Sequence, residues 1–586
     1  MLTAIKKHLF SSIMLFFSLC FFTGSMILAS TGTTAFSQYI AMNLHMLSIV
    51  LVAVIFLKEL LTRKILHTML DTDEILVFAC VVLTAEVVSF FVLQSYPYIA
   101  VGDEVRDAGL DAMTIATGAS QHFFEYGNYN GYGRIIPYIA SYFYTLFGSS
   151  VLTYRFPAAL VGWLDILTLY ILLRLTTNKI TALLGSLTLL VLPLHLFYAR
   201  TELVVIFDSF WTSILLLLFY LWVEKKTVIR LVMLASIIGF ASNFHTAVRI
   251  VAGIITVGVF LLGTKEFLYQ HKIRHILKKI ASGVGFILFC FVGFGPMLFF
   301  SSSQNFLESG QYAFSTNAHQ GYSFPSFAQW LFLGNNYVAS FLVWFINSTT
   351  SHYRYPSPIL TGVFAVFFFI GIGYILWKIK HPFFALVTTL IFLLPFTNSA
   401  ITSAINADHR LLPMLPLAAL AIGYGLFTAG KIIRVRAGIV VLQILFGVYL
   451  IYQAYWFFTA MPAIMNRDVR EFVAMDIIQL LQSQDGFVNT VSSHPLSENI
   501  CLIVSPSNAQ NLQYEHHQEQ YEYFLPTKTI MIDKNPSIPD NEAYIFHGGC
   551  PTIYSIATQK AVTTCTGANN FFCPIGYTGN IVLHYQ

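Results

Sequence analysis

Ile75-Leu-Val-Phe-Ala-Cys-Val-Val-Leu-Thr-Ala-Glu-Val-Val-Ser-Phe-Phe-Val-Leu-Gln-Ser95 is almost entirely apolar. Only Tyr96-Pro97 separates it from Tyr98-Ile-Ala-Val-Gly-Asp-Glu-Val-Arg-Asp-Ala-Gly-Leu-Asp111. The first run is long enough to cross a bilayer, which takes about 20 residues as a helix. The second holds four carboxylates, Asp103, Glu104, Asp107 and Asp111, in a chain of 586 residues that is only 10% charged. Acid gathered beside a membrane span is either a solvated loop or a place for chemistry, and the rest of the chain decides between them.

Outward from this stretch the apolar pattern recurs. The chain is 56% hydrophobic with a mean hydropathy of +0.68, against about 45–50% apolar for a soluble domain. The composition predicts a mainly α polytopic membrane protein, because lipid-exposed backbone must satisfy its own hydrogen bonds. The runs are continuous rather than alternating, which argues against a β-barrel. The formal net charge of +4 gives no ground for a nucleic-acid partner.

About thirteen runs have spanning length. They lie near 9–29, 39–57, 75–95, 153–173, 180–198, 204–223, 229–246, 248–263, 281–300, 358–377, 383–400, 411–429 and 437–459. The first follows Lys6-Lys7 as a signal peptide would, but it is long for an apolar signal core, and further spans follow. It reads as a retained helix.

Lys and Arg set the orientation. With the amino terminus in the cytoplasm, every lysine before residue 460 falls on the cytoplasmic side: Lys6, Lys7, Lys58, Lys64, Lys179, Lys225, Lys226, Lys265, Lys272, Lys278, Lys279, Lys378, Lys380 and Lys431. The opposite side carries single arginines only: Arg106, Arg134, Arg155, Arg200, Arg249, Arg354 and Arg410. Two large segments fall on that outer side. One is 96–152, with the acidic cluster. The other is 301–357, where Ser323–Leu333 reads as an interfacial helix.

After residue 460 the composition changes. Apolar runs shorten to strand length, as in Ile500–Val504 and Thr529–Ile532, between turns such as Ser505-Pro506. Five Lys/Arg stand against eleven Asp/Glu. The reading is three parts: an N-terminal helix pair (1–70), a membrane core (71–459) and an exported soluble α/β domain (460–586). Cys501, Cys550, Cys565 and Cys573 all lie in the last part, and four cysteines in an exported domain suggest two disulfides. Three connectivities are open. No Cys-x-x-Cys pair favours zinc. Cys20, Cys80 and Cys290 lie in spans and read as packing residues.

Arginine is planar, always charged and binds phosphate in a bidentate fork. Any one outer arginine is more simply explained by aromatic packing or a local acid. A face that uses arginine alone, each at a span mouth, suggests a phosphate held at the bilayer edge. Arg200 lies in Tyr198-Ala-Arg-Thr-Glu202, with Asp208 six residues on. Charges this close to a membrane interior are functional or mutually paired. Asp165, inside the fourth span, reads either as a partner for an arginine or as a tie between helices.

The Asp103-Glu104 pair is followed by Arg134-Ile-Ile-Pro-Tyr-Ile-Ala-Ser-Tyr-Phe-Tyr-Thr-Leu-Phe-Gly148, Tyr154-Arg-Phe-Pro-Ala-Ala-Leu-Val-Gly162, Tyr198–Glu202 and His409-Arg-Leu-Leu-Pro-Met-Leu-Pro416. In this order the motifs resemble the GT-C membrane glycosyltransferases, nearest the branch of protein O-mannosyltransferases and lipid A aminoarabinose transferase. The resemblance covers about 75–430. It implies an inverting transfer of sugar from a polyprenyl-phosphate donor at the outer face, with no nucleotide cofactor, to an external glycan, lipid or protein. Asp103 matches the family's catalytic acid and Glu104 completes the pair. Arg134 stands where relatives carry a basic residue near the lipid phosphate, although the run here reads Arg-Ile-Ile-Pro rather than a Lys-Pro-Pro type. Glu202 and Arg410 match later positions, and Arg200, Arg249 and His409 are expected beside them in the donor site. A divalent cation, used by some relatives and not by others, would be held by Asp103 and Glu104. The rival readings are a flippase or permease for a lipid-linked or anionic substrate, and a non-catalytic envelope assembly protein.

Overall fold

Each of the thirteen apolar runs contains a helix in the computed structural model. The structure describes residues 2–31, 34–61, 72–93, 105–119, 124, 133–201, 203–268, 273–297, 337–346, 358–399, 408–433 and 435–465, and strands within 499–583. The helices are α1 (Leu2–Thr31), α2 (Ala35–Leu61), α3 (Thr72–Phe90), α4 (Asp111–Ala116), α5 (Ile135–Phe147), α6 (Leu152–Thr176), α7 (Lys179–Val191) and α8 (Pro193–Thr201). Then come α9 (Leu203–Glu224), α10 (Val228–Ala241), α11 (Thr246–Leu268), α12 (Ile273–Phe294), α13 (Gly362–Trp377), α14 (Pro382–Ser399), α15 (Met414–Ile432) and α16 (Arg436–Met465). Among the described residues seven helices are long and apolar enough to cross a membrane, or eight if the bent pair α7–α8 is one span. The protein is mainly helical and multi-pass. The segment 323–333 lies outside the described residues.

Burial sorts the bundle. The apolar stretch of α9 is 83% buried, while those of α1 and α16 are 17% buried. α9 is therefore a central post, and the other two present most of their surface outward. α10 and α12 cross backbone to backbone, since a Cβ at Gly239 would collide with the Cys290 carbonyl and one at Gly293 with that of Ser236. Small residues allow such contacts where no hydrophobic effect drives helices together in lipid. Cys20 and Cys80 are exposed on helix faces rather than packed inside, and Cys290 is half-buried.

The break between α7 and α8 turns the chain by 61°. Leu192 takes φ −58° and ψ 119°, as expected of a residue before proline, which is pushed out of the helical region. Asp165, fully buried in α6, accepts from Ser209 Oγ of α9 at 2.5 Å and lies 3.3 Å from His195 Nε2 of α8. It ties three helices together around the break. α5 is docked in a comparable way. Tyr142 meets Tyr138 at 3.0 Å, accepts from Tyr39 at 3.2 Å and donates to Asn43 at 2.9 Å, linking α5 to α2.

In the tail, β1 (Asn499–Val504), β2 (Thr529–Lys534), β3 (Glu542–His547), β4 (Cys550–Ser555), β5 (Lys560–Thr563) and β6 (Ile581–Leu583) form one sheet in the order β5-β4-β3-β1-β2-β6. Only β1 and β2 run parallel. Cys501 on β1 and Cys550 on β4 are separated by β3. Two strand spacings, about 9.6 Å, exceed the roughly 7 Å limit for bridging Cα atoms.

Candidate functional site

A helix leaves its last four carbonyls without internal partners, and they form the negative end of its dipole. The end of α3 meets two arginines. Arg200, buried in α8, donates to the carbonyls of Val88 (3.0 Å), Ser89 (2.8 Å) and Phe91 (2.6 Å). Arg155, buried in α6, donates to Leu93 (3.4 Å). Phe458 of α16 lies 5.2 Å from the Arg200 guanidinium and packs edge-on to Phe91. Val92 is held at φ +46°, a strained region for a β-branched residue. The two arginines pin this strained turn, and the acidic stretch follows it in the chain.

Asp103 and Glu104 lie outside the described residues. Just after them in the chain, Ala108, Ala112 and Ile115 are buried in the core, in a π-turn (Val105–Leu110) and α4, which rest on α5. Asp111 opens α4, in its first turn, where a carboxylate suits the positive end of a helix.

A second junction forms around Asn243, which is fully buried. α10 ends at Ala241, before the apolar run ends at 246, because Asn243 leaves the helix to bond elsewhere. Its side-chain amide donates to the carbonyls of Gly293 (3.2 Å) and Phe294 (3.0 Å) at the end of α12. Its own carbonyl accepts from the Gly133 N–H at 2.8 Å. A Cβ at Gly133 would come within 2.5 Å of that carbonyl oxygen, so glycine is required there. The next residue, Arg134, is the N-cap of α5 and is half-buried.

Two residues beyond Asn243, His245 places Nδ1 2.5 Å from the Oδ2 of Asp208. Asp208 lies in the second turn of α9, fully buried. One turn on, Arg249 donates to the carbonyls of Ser242 (2.9 Å) and Phe244 (3.2 Å), the chain end of α10. Asp208 and His245 thus tie α9 to the chain between α10 and α11, where Asn243 in turn bonds to Gly133, the residue before Arg134.

Residues 134–294 match the family described as dolichyl-phosphate-mannose-protein mannosyltransferase. The match supports a membrane glycosyltransferase of the GT-C superfamily. The matching segment begins at Arg134 and ends at Phe294, and Asn243 bonds to Gly133 beside one limit and to Phe294 at the other. Two solved structures of ArnT from Cupriavidus metallidurans are similar to the chain. The form bound to undecaprenyl phosphate has 16% identity and a TM-score of 0.42, covering 71% of this chain and 73% of that one. The apo form has 16% identity and a TM-score of 0.48, covering 79% and 86%. No curated protein matches the sequence.

The other expected GT-C site residues sit as follows. Glu202 falls between α8 and α9, outside the described residues. His409 and Arg410 lie in a short 3-10 turn, Asp408–Leu411, that leads into α15 through Pro413 at its N-cap. Arg410 is half-buried, and the His409 side chain is outside the described residues. Among the described residues no three His, Cys, Asp or Glu gather as a metal-ligand group. Asn243 and His245 were not expected from the sequence. Their signal is the polar run Ser242-Asn-Phe-His245 between two apolar segments.

Proposed function

We propose that the protein moves a sugar from a polyprenyl-phosphate donor to an acceptor on the outer face of the membrane, with inversion at the anomeric carbon. Asp103 takes the proton of the acceptor hydroxyl as its oxygen attacks that carbon. The bond from the carbon to the phosphate oxygen breaks, and the lipid phosphate leaves with the electron pair. Cationic groups aimed at that oxygen stabilise the developing charge, the electrostatic contribution that is usually largest. Arg134 and Arg249 are our candidates at the Asn243 junction, with Arg410, His409 and Glu202 completing the donor site. Arg200 acts from behind, by fixing the end of α3. Glu104 assists Asp103 and would share a divalent cation if one is used.

The observation that carries this reading is the turn between α10 and α11, where His245 meets the buried Asp208 and Asn243 bonds to Gly133, the residue before Arg134, within the segment matching a sugar-transferring family. The topology belongs to the same proposal: thirteen crossings, amino terminus in the cytoplasm, segments 96–152 and 301–357 outside, and residues 460–586 exported as a separate domain.

Purified protein in lipid, offered a panel of polyprenyl-phosphate sugars, should transfer sugar to an added acceptor. No turnover with any donor would move weight to transport or assembly. Accessibility tags after residue 586 and within 265–279 should report opposite sides of the membrane, and the same side for both would overturn the topology.

A further inference from the structure

We propose that Phe458 and Gln453 of α16 are positioning residues for the transfer reaction, and that they hold the roots of both large segments, 96–152 and 301–357. This rests on the glycosyltransferase reading above and deepens it. α16 lies outside the segment that matches the family, and its apolar stretch is only 17% buried. Ile451 and Tyr455 are exposed, while Phe446, Leu450, Gln453 and Phe457 are buried. Those four recur at i, i+4, i+7 and i+11, which is one narrow stripe of a helix. A glutamine inside a span is costly unless its amide is satisfied. Gln453 donates to the Thr361 hydroxyl at 3.1 Å, and Tyr449, one turn earlier, meets the same hydroxyl at 2.8 Å. Thr361 is the N-cap of α13 and stands just past segment 301–357. Its neighbour Leu360 donates its N–H to the Trp344 carbonyl, inside that segment, at 2.8 Å.

The other root lies five residues further along the same helix. Phe458 is 5.2 Å from the Arg200 guanidinium, and its ring stands edge-on to Phe91 with 5.8 Å between centroids. Phe91 is the first residue past α3, the strained Val92 follows it, and the chain then enters 96–152. Seating α16 in lipid needs neither ring nor amide, because close apolar packing serves. The phenyl ring adds a π-face that attracts the guanidinium and an edge-to-face partner for Phe91. Arg200 donates to the carbonyls of α3 while Phe458 touches both Arg200 and Phe91, so fork and ring hold the same turn. One helix thus grips the end of one large segment and the start of the other. The five-residue step from Gln453 to Phe458, about 7.5 Å along the axis, sets the two roots against each other. Asp103, the proposed base, is carried on one of these segments, and a displacement of about 1 Å in a reacting group can cost about 10²-fold in rate.

The test uses the full chain purified in lipid, with transfer kinetics, thermal midpoint and backbone hydrogen exchange measured on the same samples. Phe458→Leu keeps α16 apolar and removes the ring. It should lower kcat about tenfold and leave the donor KM within about twofold of wild type. It should also keep the wild-type midpoint and speed exchange at residues 88–93. Phe458→Tyr keeps the ring and should restore kcat. Gln453→Leu should lower kcat as well, with faster exchange around Leu360 rather than at 88–93. Tyr455→Leu, on the exposed face, should change none of these. A lower midpoint with wild-type kcat is what a merely structural contact gives, and it overturns the proposal. So does wild-type exchange at 88–93 in Phe458→Leu. If wild type transfers sugar from no polyprenyl-phosphate donor, the glycosyltransferase reading fails and this proposal with it. Turnover by wild type and by Phe458→Leu alike removes this proposal alone.

Discussion

At one end of the bundle Lys179 reaches Asp73 at 3.2 Å, and Arg174 forks onto both oxygens of Glu74, at 2.6 and 3.0 Å. At the other end Arg200 and Arg249 donate to main-chain carbonyls where helices stop. Both ends are charged, but the charges do different work. Side chain meets side chain at the lysine end, with Asp73 73% exposed and Lys179 33% exposed. Such pairs contribute little, since water solvates the partners almost as well. At the arginine end the guanidinium fork replaces water on carbonyls at helix ends, which lack partners within their own helices. Arginine is chosen there because its planar donors serve several acceptors at once, which a lysine ammonium does poorly. The arginine end is thus a built scaffold, while the Lys179–Asp73 pair at the lysine end is solvated.

Four substitutions test this difference. Arg200→Ala should have the largest effect on stability, about 4 kcal/mol, because three carbonyls at the end of α3 lose charge-assisted partners. Arg200→Lys should recover less than half, and full recovery would show that charge rather than the fork matters. Asn243→Ala should cost about 3 kcal/mol by orphaning the carbonyls of Gly293 and Phe294, and transfer should be lost with it. Lys179→Ala should cost less than about 1 kcal/mol and leave transfer untouched. Thermal midpoints and chemical denaturation of the purified protein measure all four. A Lys179→Ala loss as large as that of Arg200→Ala would erase the distinction between the two ends.

The apolar runs made the helices legible, because spanning length and continuous hydrophobicity leave the backbone little choice in lipid. Helix ends were less legible. The run 229–246 continues past Ala241, where α10 stops, because what ends the helix is a bond from Asn243 to carbonyls on α12, some fifty residues away. Arg200 shows the same limit. Its residue type suggested a phosphate ligand, yet its described bonds go to α3, more than one hundred residues earlier. Local composition identifies a charge near a membrane but not the distant carbonyl that occupies it. Asp165 was legible as a polar residue in a span, and the structure makes it a tie between α6, α8 and α9. Asp208 was noticed for its acid. Its partner His245 was overlooked, because the histidine lay at the tail of an apparently continuous apolar run.

The account turns on Asp103, placed in the chain between the turn pinned by Arg155 and Arg200 and the buried Ala108. The most direct test is sugar transfer from a polyprenyl-phosphate donor by purified wild type, Asp103→Asn and Lys179→Ala, side by side. Asp103→Asn should keep the wild-type thermal midpoint and lose about 10²- to 10⁴-fold in kcat, while Lys179→Ala transfers at the wild-type rate. Equal turnover by Asp103→Asn and wild type would contradict the account.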